Sequence, residues 1–582
     1  MLWSLRKNRV STLVNIIGLA VGMAAFVLIM QFVRYEFSYD RFHENGDRIY
    51  RVQQDRFNKG VITTRWAAGC SAVGQALYEN FEEVEDFTRF HIITGVFSRG
   101  ATTFREEKVY FADTSFFDVF SFEVLSGDPV TALEEPLVMF LSEKTARKYS
   151  GSADPIGGSL RFNGWLEFRI AGLFRDAPRN SHLKPEMAVS WETLVRFRGP
   201  YINTAWDWDA YFNYLLLQPT ADYRSLEAKI PAFVQETIGE ELEQFNDKVV
   251  FHLQPLKSIH LHSDFMFEAE PNGNAITLYA LIIVAFFLVV IAWINFINLA
   301  TARSLERARE VGMRKVTGAT RFNLTGQFLV ESFILNMMAI LIAVILVMLA
   351  GPSFNQLTGR ELDYSFLTNP GFWALIILLF FIGALISGIY PAQLLSSFKP
   401  TTVFQASSNL KVGGMGLRRL LVIFQFTISL LLIAGTLTVY MQVSFMKNHD
   451  LGVDVESVLV LRGPSVTDST YTETFSAFKT EILRNPVIGK VTASTGVPGR
   501  QPEWNAGRIR WVSDTEDEGN QYKILGIDFE FLDFYGLEIL EDRNFSREFG
   551  QNSQTVLFNE AAVDLMGFKD FSSAMDVPIF FW

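Results

Sequence analysis

Four residues near the middle of the chain are of types that hold metal: His252, His260, His262 and Asp264. In an extended backbone His260 and His262 share a face. No third ligand stands at a recognisable spacing, and zinc needs three or four. A metal site is therefore not expected. Gly95 and Gly100 have half the spacing of a phosphate-binding loop, but Ala101 occupies the place of the lysine that would reach the phosphates, so the loop has no chemistry. No H-E-x-x-H or G-x-S-x-G sequence occurs. Cys70, the one cysteine, excludes an intrachain disulfide framework and reads as a small buried side chain. With no catalytic, cofactor-binding or metal constellation, the chain does not read as an enzyme.

The remaining conspicuous residues lie in or beside apolar runs. Gly18 and Gly22 are spaced to let helix backbones approach closely. Asn295 and Asn298 are amides that need partners in hydrocarbon, and an ion site is the sharper alternative. Glu331 stands near basic Arg314, Lys315 and Arg321, where a structural ion pair is expected rather than a proton relay. These five make up the expected membrane packing set.

The runs themselves are Val10–Val33, Ala275–Ala302, Ser332–Gly351, Phe372–Phe398 and Leu420–Met446, each free of charge and of a length that crosses a bilayer, which takes about 20 apolar residues. The first exceeds the apolar core of a signal peptide and reads as an uncleaved anchor. Basic residues concentrate between particular runs. Residues 1–9 hold Arg6, Lys7 and Arg9; residues 303–321 carry six basic and two acidic side chains; residues 397–419 hold Lys399, Lys411, Arg418 and Arg419 and no acid. Residues 447–582 carry 12 basic and 22 acidic side chains in a chain of net charge −12. Positive flanks face the cytoplasm, so the N-terminus is expected inside and the segments 34–274 and 447–582 outside. Arg303–Thr320 also shows a helical stripe of Leu305, Ala308, Gly312, Val316 and Ala319, so a short basic amphipathic helix is expected on the inner face.

The outer segments repeat. Phe116–Leu125 and Phe531–Leu540 share Phe, Asp, Glu and Leu in register. Later come Val138–Glu143 and Thr555–Glu560, each reading as a strand that enters a helix capped by Ser142 or Asn559. A second copy matching the first would continue past Trp582 through three more spans, so the chain is expected to be C-terminally incomplete. Within 34–274, Phe168–Phe174 and Asn213–Gln218 read as strands. Ser142–Tyr149 and Tyr223–Ile238 read as helices, the second with Leu226, Ile230, Phe233 and Ile238 on one side. Turns are expected at Asn45-Gly46, Gly127-Asp128-Pro129 and Gly157-Gly158. An α+β fold of two subdomains is expected.

Glu310-Val-Gly-Met-Arg-Lys-Val-Thr-Gly-Ala319 resembles the E-[IV]-G-[IVM]-R-[KR]-x-x-G-A signature of the FtsX/MacB-like ABC transporter permeases, as does the preceding NFINLATARSLERAR. The stretches NIIGLAVGMAAF and YEFSYDRFHENGDRIYRV are similar to the long duplicated permeases of Bacteroidota-type bacteria. The resemblance implies a multi-pass α-helical membrane protein of the inner membrane with α+β periplasmic domains. Its parts are a cytoplasmic N-terminus (1–9), a transmembrane helix (10–33), a MacB-like periplasmic core domain (34–274), an FtsX-like permease domain with three spans (275–400), a cytoplasmic linker (401–419), a fifth span (420–446) and an incomplete second periplasmic domain (447–582). It further implies that the chain binds no cofactor and that ATP is bound by a separate ABC ATPase dimer pressing on the helix at about 303–320. Arg307, Glu310, Gly312, Arg314 and Lys315 are the expected contacts; Glu310 and Arg314 form an i,i+4 pair, and Gly312 allows close approach. The work expected is export or mechanotransmission, with antimicrobial peptides, macrolides or lipoproteins as cargo classes. A periplasmic adaptor and outer-membrane channel are further expected partners; nucleic acid is not. The alternative is a signalling module that senses peptides or controls a cell-wall hydrolase.

Overall fold

The structure is a computed structural model that describes residues 9–302, 311–361, 370–397, 415–464, 466–500, 504–515, 519–546, 548, 555–575 and 577–581. The chain divides into two compact units, one made of residues up to Ser38 with Gly273–Asn448, the other of Tyr39–Asn272 with the residues from His449 onward.

The first unit is helical: α1 (Arg9–Glu36), α2 (Ala275–Ala302), α3 (Arg321–Thr358), α4 (Pro370–Ser397) and α5 (Met415–Asn448). Among the described residues α1, α2, α3 and α5 are long and apolar enough to cross a membrane, and the apolar part of α4 covers Pro370–Ile386. Water cannot satisfy backbone groups in hydrocarbon, so helices are the form these runs must take. Their packing follows small residues. Ala20, Ala24, Ala285, Ala292, Ala339 and Ala343 lie in one core with Leu19, Met23, Val289, Trp293 and Phe372. At the α1 end Glu36, buried, pairs with Arg360 at 2.8 Å, and Phe37 meets Tyr279 with ring centroids 6.1 Å apart.

The second unit is built on an eleven-stranded sheet: β1 (Ile49–Asn58), β2 (Val61–Trp66), β3 (Val84–Arg99), β4 (Thr102–Ala112), β5 (Val124–Ser126), β6 (Val138–Ser142), β7 (Ser159–Phe162), β8 (Leu166–Phe174), β9 (Met187–Ser190), β10 (Phe212–Leu217) and β11 (Asp247–Pro255). The order is β11-β1-β10-β3-β4-β9-β6-β8-β5, with β2 on β1 and β7 joining β3 to β8. Only β4–β9 and β6–β8 are parallel. The expected strands and helices fall within one or two residues of β8, β10, Glu143–Ser150 and the start of Tyr223–Gln244. In the last, Leu226, Ile230 and Val234 are the buried face. Two subdomains are not separate sheets: the 16-residue β3 runs from the β10 side to β7 and carries one sheet through both.

Gly95 and Gly100 find their reason here. Gly100 (φ +59°) turns the β3–β4 hairpin, and a Cβ at Gly95 would overlap the Phe162 ring. Both glycines serve the sheet.

Among the described residues, the second repeat has β12 (Trp504–Trp511), β13 (Asn520–Ile524) and β14 (Ile579–Phe580) in the order β13-β12-β14. The two repeated motifs fold alike where a helix is concerned. Phe116–Val119 and Phe531–Tyr535 are both short helices. Ser142 accepts from the Thr145 N–H, and Asn559 from the Ala562 N–H. Residues 555–559 form no strand, unlike β6.

Candidate coupling turn and intramembrane packing site

Residues 311–316 are helical. The helix ends on two hydrogen bonds: the Gly318 N–H donates to the Lys315 carbonyl (3.1 Å) and the Ala319 N–H to the Arg314 carbonyl (2.9 Å). This is the Schellman pattern, which asks for a left-handed residue at its penultimate position; Gly318 supplies it with φ +101°. Thr320 then caps α3, accepting from the Asn323 N–H at 3.3 Å. Gly318-Ala319-Thr320 is thus a complete stop-and-start signal that turns the chain from one helix into the next.

Inside the turn Val311 is buried with Leu324 and Phe328, and Ala319 packs on them. Gly312 is buried as well. Arg314 donates from Nη1 to Gln327 Oε1 at 2.6 Å, holding the short helix to the first turns of α3. Burial brings the Lys315 ammonium below its usual range, with Arg321 adding to the effect. Met313, Val316 and Phe322 face outward, at 62%, 68% and 86% exposure. The stripe read from sequence is therefore divided. Gly312 and Ala319 turn inward, whereas Val316, the last helical residue, faces outward. Arg307 and Glu310, with Leu305 and Ala308, lie outside the described residues. Met313 and Phe322 were not singled out from sequence; the Gly318–Thr320 cap signal would have located the turn that exposes them.

Four of the five expected intramembrane residues, Gly18, Gly22, Asn295 and Asn298, come together at α2. A Cβ at Gly18 would stand 3.6 Å from Asn295 Nδ2, and one at Gly22 only 2.8 Å from the Ala292 Cβ. The glycines are the α1 face that fits α2. Asn298, buried, donates to Gln425 Oε1 on α5 at 3.4 Å, so its amide is used between helices. Glu331 is half-buried in α3, on the same helix as Gln327 and a turn beyond it. Asn336, which the sequence reading passed over, is fully buried and donates to the Ser332 carbonyl at 2.9 Å. Gly383 leaves room beside it, since a Cβ there would lie 2.6 Å from Trp293 Nε1.

The histidines do not form a site. Ile259–His262 is a helical turn, not a strand. His260 is buried and stacks on Tyr39 (3.4 Å, 4°), whereas His262 is exposed. His252 Nε2 sits 3.1 Å from Asp55 Oδ2, and Asp264 pairs with Arg65. A strand would have put both histidines on one face; the preceding turn Leu256–Ser258 starts a helix instead. Among the described residues no group of three His, Cys, Asp or Glu side chains could hold a metal.

Residues 12–233 match the family model of the MacB-like periplasmic core domain, and residues 282–400 that of the FtsX-like permease C-terminal domain. The two domains in this order define the permease component of an ABC transporter, a multi-pass protein of the inner membrane. The chain belongs to the FtsX/MacB-like permeases. It is 25% identical over 272 residues (45% of this chain, 38% of the relative) to the macrolide export ATP-binding/permease protein MacB of Bdellovibrio bacteriovorus. It is 23% identical over 303 residues (50% and 42%) to that of Pasteurella multocida. The matched stretch thus spans about two-fifths of these relatives' length. Similar solved structures include a permease domain from Porphyromonas gingivalis (22% identity, 37% of this chain and 92% of that one, TM-score 0.34) and the periplasmic region of MacB from Actinobacillus actinomycetemcomitans (13%, 37% and 91%, TM-score 0.28).

Proposed function

We propose that this permease couples ATP hydrolysis by a separate ABC ATPase dimer to work in the periplasm, with the 311–320 turn as the element the ATPase engages. The observation that carries this reading is the turn's construction. A helix braced to α3 by Val311, Leu324 and the Arg314–Gln327 bond holds apolar Met313, Val316 and Phe322 outward beside Arg314 and Lys315. An apolar centre with a cationic margin is the composition of a protein-docking surface. Arg307, Glu310 and Gly312 belong to the same proposed element, Gly312 by letting the helix sit close to its own unit. The basic flanks support a cytoplasmic side for this element and the N-terminus and a periplasmic side for the sheet domain. Of the drug-like, peptide and lipoprotein cargo classes we favour the drug-like one, supported by the macrolide-export names of the relatives.

The test is co-purification from native membranes. Met313→Asp with Val316→Asp changes exposed side chains alone, and Arg314→Glu with Lys315→Glu reverses the margin. Each pair is expected to remove most of an ABC ATPase that accompanies the wild-type chain. Retention of the ATPase by both variants would overturn the reading.

A further inference from the structure

After α1 the chain reaches β1 through residues 37–48, which form turns and carry Asp40, Arg41, His43, Glu44, Asp47 and Arg48. A connector of this composition ordinarily runs over the surface. Here Tyr39, Asp40 and His43 are buried, and Asp40 has a left-handed backbone (φ +57°). A buried charge persists only with partners, and Asp40 has them. Its N–H donates to the Asn180 carbonyl (3.0 Å). Its Oδ1 accepts from the His182 N–H (3.0 Å) and the Ser181 hydroxyl (3.2 Å), and faces His182 Nδ1 at 2.9 Å. On the other side of that ring Nε2 is 2.8 Å from the Tyr214 hydroxyl, on β10. The carboxylate favours the proton on Nδ1, so Nε2 accepts from Tyr214. The line Asp40–His182–Tyr214 runs from the connector to a central strand.

His43 adds a second tie. Its Nδ1 accepts from the Ser121 N–H at 3.2 Å, and the Ser121 hydroxyl accepts from the Glu44 N–H at 2.9 Å. With Nδ1 an acceptor, the neutral ring carries its proton on Nε2, 4.0 Å from Asp40 Oδ1. A proton added to Nδ1 would oppose the Ser121 N–H, donor against donor. The titratable groups facing His43 are Asp40 and His182, and the rings of Phe42, Phe120 and Phe122 pack against it. Around Tyr214 stand Arg51 and Glu268. Burial lowers His43 to about 4, against the pull of Asp40. Burial raises Asp40, and His182 and His43 together more than reverse this.

We propose that Asp40, His182 and His43 form a latch that fixes the connector after α1 to the sheet, that Asp40 is thereby a positioning residue for movement passed along α1, and that a proton on His43 Nδ1 opens the latch. The positioning role rests on the coupling function proposed above; the latch and its acid opening do not.

The experiment is hydrogen–deuterium exchange on the full chain in nanodiscs, corrected for intrinsic rates, from about pH 7.5 to about pH 4.5. In the wild type the amides of 40–46 and 181–183 are expected to be protected at neutral pH and to exchange about tenfold faster at the acid end. Asp40→Asn is expected to exchange about tenfold faster at every pH, with β3–β4 peptides unchanged as the measure of an intact fold. His43→Gln, whose amide oxygen still accepts from Ser121 without titrating, is expected to stay protected throughout. Wild-type protection in a folded Asp40→Asn chain would overturn the latch, and a wild-type pH profile in His43→Gln would overturn the acid opening. A second arm adds ATP and vanadate to the co-purified ATPase complex and reads exchange in the sheet. An ATP effect in the wild type that is lost in Asp40→Asn supports positioning, and one retained there overturns it. No ATP effect in the wild type overturns the coupling function itself.

Discussion

At Gly22 one added carbon decides how closely α1 and α2 can lie, since it would come within 2.8 Å of the Ala292 Cβ. Overpacking of this kind costs about 1–3 kcal/mol. Gly22→Leu is expected to lower the thermal midpoint of the detergent-solubilised protein, whereas Gly435→Leu on α5, with nothing within 4 Å of its Cβ, is expected to leave it unchanged. Equal midpoints for both would show that the glycine spacing is background. In the sheet domain Arg51 is fully buried and pairs with Glu268 while also donating to Gln254 and Ser263. Removing one partner of a buried pair typically costs about 3–5 kcal/mol, because the other charge is left uncompensated. Arg51→Met should show a loss of that order in denaturant unfolding, and adding Glu268→Gln should recover part of it. The Gly18–Gly22 spacing was readable because close backbone approach in a membrane asks for small residues at one interval. Arg51, Asp40 and His182 were not, because nothing local to a charged residue says that it will be buried.

At the scale of elements, the turn after residue 310 shows how short signals act. Gly318 (φ +101°) ends one helix and Thr320 starts the next. Gly318→Ala keeps every exposed side chain yet strains the left-handed position, at a cost of roughly 1–2 kcal/mol. It is expected to reduce ATPase co-purification without altering the docking surface; full retention would mean that the aim of the helix does not matter. At this turn the signal is present, though the stripe drawn through Ala319 runs past it; local chemistry made the caps at Ser142 and Asn559 and the strands β8 and β10 legible. It failed at Ile259–His262. Four residues support either an alternating or a helical reading, and the choice is made by the preceding turn and by the Tyr39 ring that takes the face of His260.

For the whole molecule, topology and acid response are the measurable properties. Cys70 is buried and its thiol is pushed up to about 12, chiefly by burial, so it is a silent background for labelling. A membrane-impermeant maleimide is expected to label Thr63→Cys in spheroplasts and Thr317→Cys only after permeabilisation; the reverse would invert the orientation. Stability should fall in mild acid. His43 is neutral when folded, with a value about 4 against 6.5 ordinarily, so the unfolded chain takes up the proton first and stability is lost between those pH values. Asp40, held low, adds a loss below the ordinary carboxylate range. Asp86, Asp113 and Glu186, all raised by burial, oppose it. His43→Gln isolates the first contribution, and its melting midpoint is expected to vary less between about pH 7 and about pH 5 than that of the wild type. By itself the sequence determined the long apolar helices, the repeated segments and the chemistry of helix ends, because hydrocarbon length, register and capping act over a few residues. Only the tertiary structure decided that one sheet passes through the whole of residues 49–255, that Gly312 faces inward while Met313 and Val316 face out, and that a polar connector is latched inside the fold. Burial is set by what packs on a residue from far along the chain, and no local pattern carries that information.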